Sequence, residues 1–454
     1  MSDITSLVIR GATRLEPGQP RREVDIVIDD GVITEVNILH WGSRRTELGA
    51  VHDPHHTKKR KVVIEATGMY VAPGFLDLHA HLREPGQTKK ETIATGAAAA
   101  AAGGFTSVVA MANTSPAVDT PELLRKVLSS AAGEGVKINS VAAVTRGLRG
   151  AQLTDMEALA EAGAVAFSDD GRNAYDLDVA VEAGRRAAAL DRAILVHAQD
   201  EATCPDGQVS DTVAATAGLA PWPCEAEVIA VRRAIEAARR SGSRLHLQHL
   251  SCSASLALLE EAKAEGLRVT AEVTPHHLAL SEKLVWDGER ADPMAKVNPP
   301  LRSDHDRADL VAALSSGLID AVATDHAPHD AASKKGKFED ASFGFSGLET
   351  ALSLCLDLVD SGALTLERLV EALTVGPWRC LSPGLDQAVP GLRVGQPADL
   401  VLFETKGLLR LDASRLLSKG KNTPLDGRDM RGRVLLTIAR GQMVHGDWFA
   451  GVTG

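Results

Sequence analysis

A (β/α)8 barrel of TIM type, joined to a small β-sandwich domain formed by both chain ends, is the α/β fold class that these 454 residues predict. Three observations carry it. Through the middle of the chain, apolar strand-like runs alternate with Ala- and Leu-rich stretches of helical length, the pattern of βα units on a parallel sheet. Those runs number eight, beginning near Phe75, Ser107, Asn139, Ala164, Ala193, Arg244, Arg268 and Asp320, and eight strands close such a barrel. Short β-rich runs recur at the two ends. Alternation alone does not separate a closed barrel from an open doubly wound sheet, so the polar residues at the strand ends must decide.

The N-terminal runs are Ser6-Leu-Val-Ile-Arg10 and Asp25-Ile-Val-Ile-Asp29, the second followed by the turn pair Asp30-Gly31. Similar texture returns in Ala398-Asp-Leu-Val-Leu-Phe403 and in Arg433-Val-Leu-Leu-Thr-Ile-Ala-Arg440. The expected organisation is therefore a β-sandwich from residues 1–70 and 381–454 around a barrel over 71–380. The run Ala97 to Ala102, closed by Gly103 and Gly104, reads as a helix with a glycine stop. Residues 41–62 hold His55, His56 and the basic cluster Lys58, Lys59, Arg60, Lys61, and read as a solvated loop between two strands rather than a metal or anion site.

Composition narrows the function. With 44% hydrophobic residues, 24% charged residues and 40 Gly spread along its length, the chain has material for a large core. A formal charge of -11 opposes a nucleic-acid or anionic-membrane role and favours a small-molecule partner. Cys204, Cys224, Cys252, Cys355 and Cys380 are scattered and odd in number, without zinc-finger or redox spacing, which suggests a reducing compartment. The start of the chain lacks the pattern of a secretory leader and no apolar run approaches spanning length, so a soluble cytoplasmic protein is expected.

The strand ends carry the chemistry. In Phe75-Leu-Asp-Leu-His79-Ala-His81 the two histidines stand two apart, so on a strand both point to one face and can reach one metal. Leu82-Arg83-Glu84-Pro85-Gly86 ends that strand and sets the pair at its C-terminal mouth, where barrel active sites lie. Four later strands end in Asp169-Asp170, His197, His246 with His249, and Asp325-His326-Ala-Pro-His329. Any one alone reads as a core or capping residue. Five together point to a metal site, because imidazole and carboxylate suit zinc and related ions. Asp169 and Asp170 face opposite ways, and periodicity does not say which enters the site.

These segments, with Met111-Ala-Asn113-Thr114, Glu272-Val-Thr-Pro-His276-His277, Asn298-Pro-Pro-Leu-Arg302 and Ser418-Lys-Gly-Lys-Asn422-Thr-Pro424, resemble the dihydroorotases of the amidohydrolase superfamily over nearly the whole chain. The resemblance implies two zinc ions, one held by His79 and His81 and the other by His197 and His249, with Asp170 between them, as in bacterial members that use aspartate there. It implies Asp325 as the catalytic acid/base and Arg83, Asn113, Asn298 and His329 as substrate-binding residues, with backbone groups at Phe343 and Gly344 against the ring. His276 and His277 are assigned to barrel structure or support of ligands, and Ser333-Lys-Lys-Gly-Lys337 to a loop that could close as a lid. The reaction implied is reversible cyclisation of N-carbamoyl-L-aspartate to L-dihydroorotate in pyrimidine biosynthesis. The alternatives are another cyclic amidohydrolase, a hydantoinase or allantoinase, and a silent scaffold subunit for aspartate transcarbamoylase. A homodimer and association with that transcarbamoylase are the macromolecular partnerships the resemblance leaves open.

Overall fold

A computed structural model describes residues 4–39, 60–172 and 176–446. Five strands open the chain: β1 (Ile4–Arg14), β2 (Arg22–Asp29), β3 (Val32–Ile38), β4 (Arg60–Glu65) and β5 (Tyr70–Pro73). Eight follow in alternation with helices: β6 (Phe75–Ala80), β7 (Phe105–Ala110), β8 (Lys137–Ser140), β9 (Ala166–Ser168), β10 (Ala193–His197), β11 (Arg244–Gln248), β12 (Val269–Val273) and β13 (Ala321–Val322). The chain closes with β14 (Leu400–Arg410), β15 (Asp429–Ala439) and β16 (Gln442–Gly446). Each of the eight strands expected in the middle is present, within two residues of its expected start.

The middle strands form two parallel sheets, β6-β7-β8 and β9-β10-β11-β12-β13. Strands such as β6, β7 and β10 are buried at every position, as expected where helices cover the outer face and side chains fill the inner one. Hydrogen bonds join the sheets at both seams. Ala142 N donates to Ala166 O (3.1 Å) and Ser168 N to Ala142 O (2.9 Å), while His81 N donates to His326 O (2.8 Å). Asp77 on β6 reinforces the second seam by accepting from Thr324 N (2.9 Å) and Thr324 Oγ1 (2.5 Å).

The chain ends meet in one eight-stranded sheet, ordered β16-β15-β14-β5-β1-β2-β3 with β4 also paired to β1. Ile26, Ile28 and Ile33 from one end of that order share an apolar cluster with Leu400, Leu436 and Ile438 from the other, so the sheet bends over its own core. The Asp30-Gly31 turn is as expected: both residues have positive φ, 49° and 83°. The helix Ile93–Ala102 likewise ends at Gly103, and its start is closed by reciprocal Thr92 and Thr95 side-chain bonds.

Two readings change. Residues 60–62, assigned to the end of a loop, begin β4; His55, His56, Lys58 and Lys59 lie outside the described residues. Cys224 and Cys252 are disulfide-bonded, with Cα atoms 5.8 Å apart. Their separation of 28 residues matches no short motif; the fold brings them together by setting one at the start of the helix Cys224–Ser241 and the other just before the helix Ser253–Ala264. The absence of a pair therefore no longer supports a reducing compartment. Among the described residues, no helix is long and apolar enough to cross a membrane.

Candidate metal centre

The strand ends converge as their sequence suggested. His79 and His81 leave β6 on one face, Asp170 follows β9, His197 ends β10 and His249 follows β11. Donor atoms of His79, His81 and Asp170 lie within 4.8 Å of one another, as do those of Asp170, His197 and His249. Asp170 Oδ1 is 3.4 Å from His79 Nε2, 3.7 Å from His197 Nδ1 and 3.9 Å from His249 Nε2, and Oδ2 is 3.6 Å from His81 Nε2. Asp169 turns the other way. Its carboxylate accepts from Val144 N, Thr145 N and the Thr145 hydroxyl, holding the loop after β8.

Hydrogen bonds on the outer ring nitrogens aim the inner ones. His79 Nδ1 donates to Glu272 Oε1 (2.8 Å), His81 Nδ1 to Asn113 Oδ1 (2.9 Å) and His197 Nε2 to Gln199 Oε1 (2.9 Å). For His79 and His81 such a bond aims Nε2 into the cluster, while His197 Nδ1 meets His249 Nε2 at 2.8 Å, ring nitrogen to ring nitrogen. Two consequences test whether a cation fits. His79 Nε2 is buried with no hydrogen-bond partner, and His81 Nε2 faces Asp325 Oδ1 at 3.0 Å, acceptor against acceptor unless a proton or metal ion lies between. The residues present fit a divalent metal.

Without a metal the cluster calls for positive charge: burial would lower His79, but Asp170, Glu272 and Asp325 raise it well above the usual imidazole range. Burial pushes the Asp170 and Asp325 carboxyls up, but the surrounding imidazoles outweigh it and hold both well below the usual range. Burial likewise opposes ionisation of Glu272, yet bonds from His246 and His79 bring it down to about 2. Three carboxylates thus stay ionised around five buried imidazoles. His249 and Asp325 also adopt positive φ, 32° and 45°, as does Arg83 at 58°. That backbone is unfavourable for residues with a Cβ and accumulates where a structure holds side chains for function.

A pocket of about 310 Å³ opens over the cluster. Its lining includes His81, Arg83, Asn113, Asp170, His197, His249, Asn298, Asp325, His329, Phe343 and Gly344; of the residues expected to bind metal or substrate or to transfer the proton, His79 is the one outside it. Burial lowers the Arg83 guanidinium to about 10, although Asp325 and Asp170 work against the shift. Burial, with Arg83 nearby, drives His329 down to about 3, so its ring is neutral. His329 Nε2 donates to Phe343 O (2.7 Å) and Asn298 Nδ2 to Gln199 Oε1 (3.4 Å), while His329 Nδ1 and Asn298 Oδ1 have no partner among the described residues. Asn113 is more committed, because besides His81 it binds Asp170 Oδ2 (2.9 Å) through Nδ2.

Several supports were not singled out from sequence. Glu272 joins His79 to His246, whose Nε2 donates to Oε2 (3.0 Å); the acid and the imidazole stand on adjacent strands of one ladder. Gln199 links a ligand to Asn298. The segment 418–422, noted only as a motif, is a strap from the terminal sheet: Ser418 Oγ donates to Glu91 (2.5 Å), and Asn422 accepts from His329 N (2.7 Å) and donates to Gly344 O (3.0 Å). Gly420 lets it approach, since a Cβ there would meet Pro328 Cβ at 2.6 Å. His277 is structural as expected, held by Thr274 and Pro299, whereas His276 Nε2 has no partner.

A parallel βα fold with His-x-His on its first strand, and a carboxylate among four imidazoles at the strand ends, defines a metal-dependent hydrolase of the amidohydrolase kind. The dihydro-orotase-like family model matches residues 68–255. The chain is 42% identical over 449 residues, 98% of each chain, to a dihydroorotase of Anaeromyxobacter dehalogenans, and 38% identical to one of Desulforapulum autotrophicum over 96% of this chain and 98% of that one. It superimposes on the L-hydantoinase (dihydropyrimidinase) from Arthrobacter aurescens with a TM-score of 0.81 at 25% identity, covering 97% and 96% of the two chains. Dihydropyrimidinase from Brevibacillus agri shares the fold, with a TM-score of 0.77 at 22% identity over 97% of this chain and 95% of that one. The chain belongs to the dihydroorotase family.

Proposed function

We propose that this protein catalyses the reversible cyclisation of N-carbamoyl-L-aspartate to L-dihydroorotate, the ring-forming step of pyrimidine biosynthesis. The observation that carries it is the single pocket in which the His79, His81, Asp170, His197 and His249 cluster, Asp325 and the buried Arg83 face one another. Two zinc ions would be held there, one by His79 and His81 and one by His197 and His249, with Asp170 between them. When bound they supply Lewis acidity and a water that ionises near neutral pH.

The protein's own groups do the rest. Arg83 offers a planar pair of N–H donors to the substrate carboxylate. Asn298 Oδ1 and His329 Nδ1, both acceptors without protein partners, receive the ring N–H groups, while Phe343 and Gly344 flank the ring and Asn113 sets its edge beside His81. In hydrolysis Asp325 takes the proton of the attacking water and returns it to the ring nitrogen as the C–N bond breaks. In cyclisation it takes the proton of the attacking carbamoyl nitrogen as the C–N bond forms and hands it to the carboxylate oxygen, which leaves as hydroxide when the C–O bond breaks. Such proton transfer contributes about 100-fold to 10,000-fold.

The same reading includes the architecture. The hydrogen-bonded seams support closure of the two parallel sheets into a (β/α)8 barrel over residues 71–380, and the bent sheet of 1–70 and 381–454 corresponds to a β-sandwich domain. We place the enzyme in the cytoplasm. A homodimer and association with aspartate transcarbamoylase belong to this proposal as its partners.

Steady-state assays with dihydroorotate, hydantoin and allantoin test the substrate; faster turnover of hydantoin or allantoin overturns it. The likeness to hydantoinases makes that comparison necessary. A silent scaffold is disfavoured because the whole ligand set is present, and a purified chain that binds no zinc when supplied with it would restore that reading.

A further inference from the structure

Two lysines lie deep in the wall of the pocket, and among the described residues neither forms an ion pair. Lys296 and Lys334 are each 2% exposed. Lys334 Nζ donates to three backbone carbonyls: Ser342 (2.7 Å), Pro293 (2.9 Å) and Lys296 (3.2 Å). Lys296 Nζ donates to Phe338 O (2.8 Å) and Glu339 O (2.9 Å) and lies 4.6 Å from the centroid of the Phe343 ring.

Lysine is among the residues least often buried, and an ammonium held by carbonyl groups without an ion pair costs more to desolvate than an aliphatic side chain of its size. Packing by itself would favour methionine or leucine. Burial duly lowers Lys296 to about 8, against the pull of Glu339 and Asp340, and Lys334 to about 7, where Lys296 adds to the shift and Asp292 opposes it. Three acceptors around one nitrogen match the three donors of an ammonium.

What the two groups hold is specific. On one side is the segment 293–298, which ends in Asn298; on the other is 338–342, which runs directly into Phe343 and Gly344. Gly344 N closes the join by donating to Lys296 O (2.8 Å). Gly344 has φ 101°, and a Cβ there would strike Ala327 Cβ at 2.3 Å, so the chain passes tightly against the mouth. The segment expected to act as a lid is thus pinned from within at Lys334, with Lys335, Gly336 and Lys337 left exposed outside.

We propose that Lys296 and Lys334 are positioning residues whose ammonium groups gather the 338–342 carbonyls and so set Phe343 and Gly344 opposite Asn298 as the wall of the substrate pocket. The inference rests on the reading of that pocket as the dihydroorotate site.

The test uses the full-length zinc-loaded enzyme and its Lys334→Met and Lys296→Met variants, with zinc content, steady-state kinetics on dihydroorotate and amide hydrogen exchange at Ser342 and Gly344. In at least one variant we expect normal zinc content, kcat within about threefold, KM raised about tenfold and exchange at the two amides accelerated about tenfold or more. Unchanged exchange and unchanged KM overturn the proposal, because the lysines then only fill space. Faster exchange with unchanged KM overturns its substrate half and the assignment of Phe343 and Gly344 to the ring, while leaving the tether itself. Loss of zinc or of folding in both variants also overturns it, since the lysines would then hold the core as a whole.

Discussion

The metal cluster and the pocket wall sit within one site but are built in opposite ways. The cluster stands at strand ends, in or just beyond the strands, and polar partners aim several of its rings, Glu272 for His79 and Asn113 for His81 among them. The wall at 338–344 has no strand beneath it. Lys296 and Lys334 hold it from inside the loop, and Asn422 holds it from the far end of the chain. The proposed reactive groups are thus fixed at the ends of regular structure, whereas the wall proposed to select the ring is fixed by individual tethers. Damage to the first should appear in metal content and kcat, and damage to the second in KM.

The largest effect that can sharpen this contrast is removal of the metal. Dialysis against a chelator is expected to abolish measurable turnover, with recovery when zinc is added back; turnover persisting in protein shown by elemental analysis to be metal-free would break the assignment. Next comes Asp325→Asn, expected to keep its zinc while kcat falls about 1,000-fold in both directions. Residual activity within tenfold of the parent would remove Asp325 from proton transfer.

Glu272→Gln probes the partner that aims His79. Losing such a partner typically weakens metal binding about 10-fold to 100-fold, and a competition titration with a chromophoric chelator measures it. An affinity equal to that of the parent would mean that the strand alone orients the ring.

The smallest effect concerns Glu91, which anchors the strap through Ser418 and the Lys419 amide. Burial pushes its carboxyl up, but His326, Ser418 and Thr95 outweigh this and lower it from 4.5 to about 2. A lowered carboxyl contributes stability that is complete above about pH 4.5 and lost as the pH falls towards 2. The contribution is at most about 3 kcal/mol. Thermal unfolding of the parent and Glu91→Gln should therefore differ most near neutrality and converge in acid; a gap independent of pH would assign the loss to packing.

What could be read from sequence follows the same division. The eight middle strands announced themselves by apolar runs, and His79 with His81 by the two-residue spacing that puts both on one face. Asp169 and Asp170 could not be separated by periodicity, because the choice is made by Thr145 and the amides of another loop. Glu272 and Gln199 gave no local signal, since a polar residue near a strand end becomes a support only when a neighbouring strand brings it to a ligand. Lys334 was misleading in a different way, for a Lys- and Gly-containing stretch reads as exposed and only the fold shows one ammonium turned inward. Cys224 and Cys252 were hidden by a helix's length of chain. The terminal sheet was legible as strands at both ends, but its order, with β14 beside β5, depends on contacts across almost the whole sequence.

The strap at 418–422 carries a consequence for how the enzyme comes into being. During synthesis every proposed metal ligand and Asp325 leave the ribosome about a hundred residues or more before Asn422 does. A nascent chain can therefore own all its reactive groups while His329 N and Gly344 O still lack the amide that will join them. Competence to position the ring, as proposed, therefore waits for Asn422 and follows the making of the reactive groups themselves.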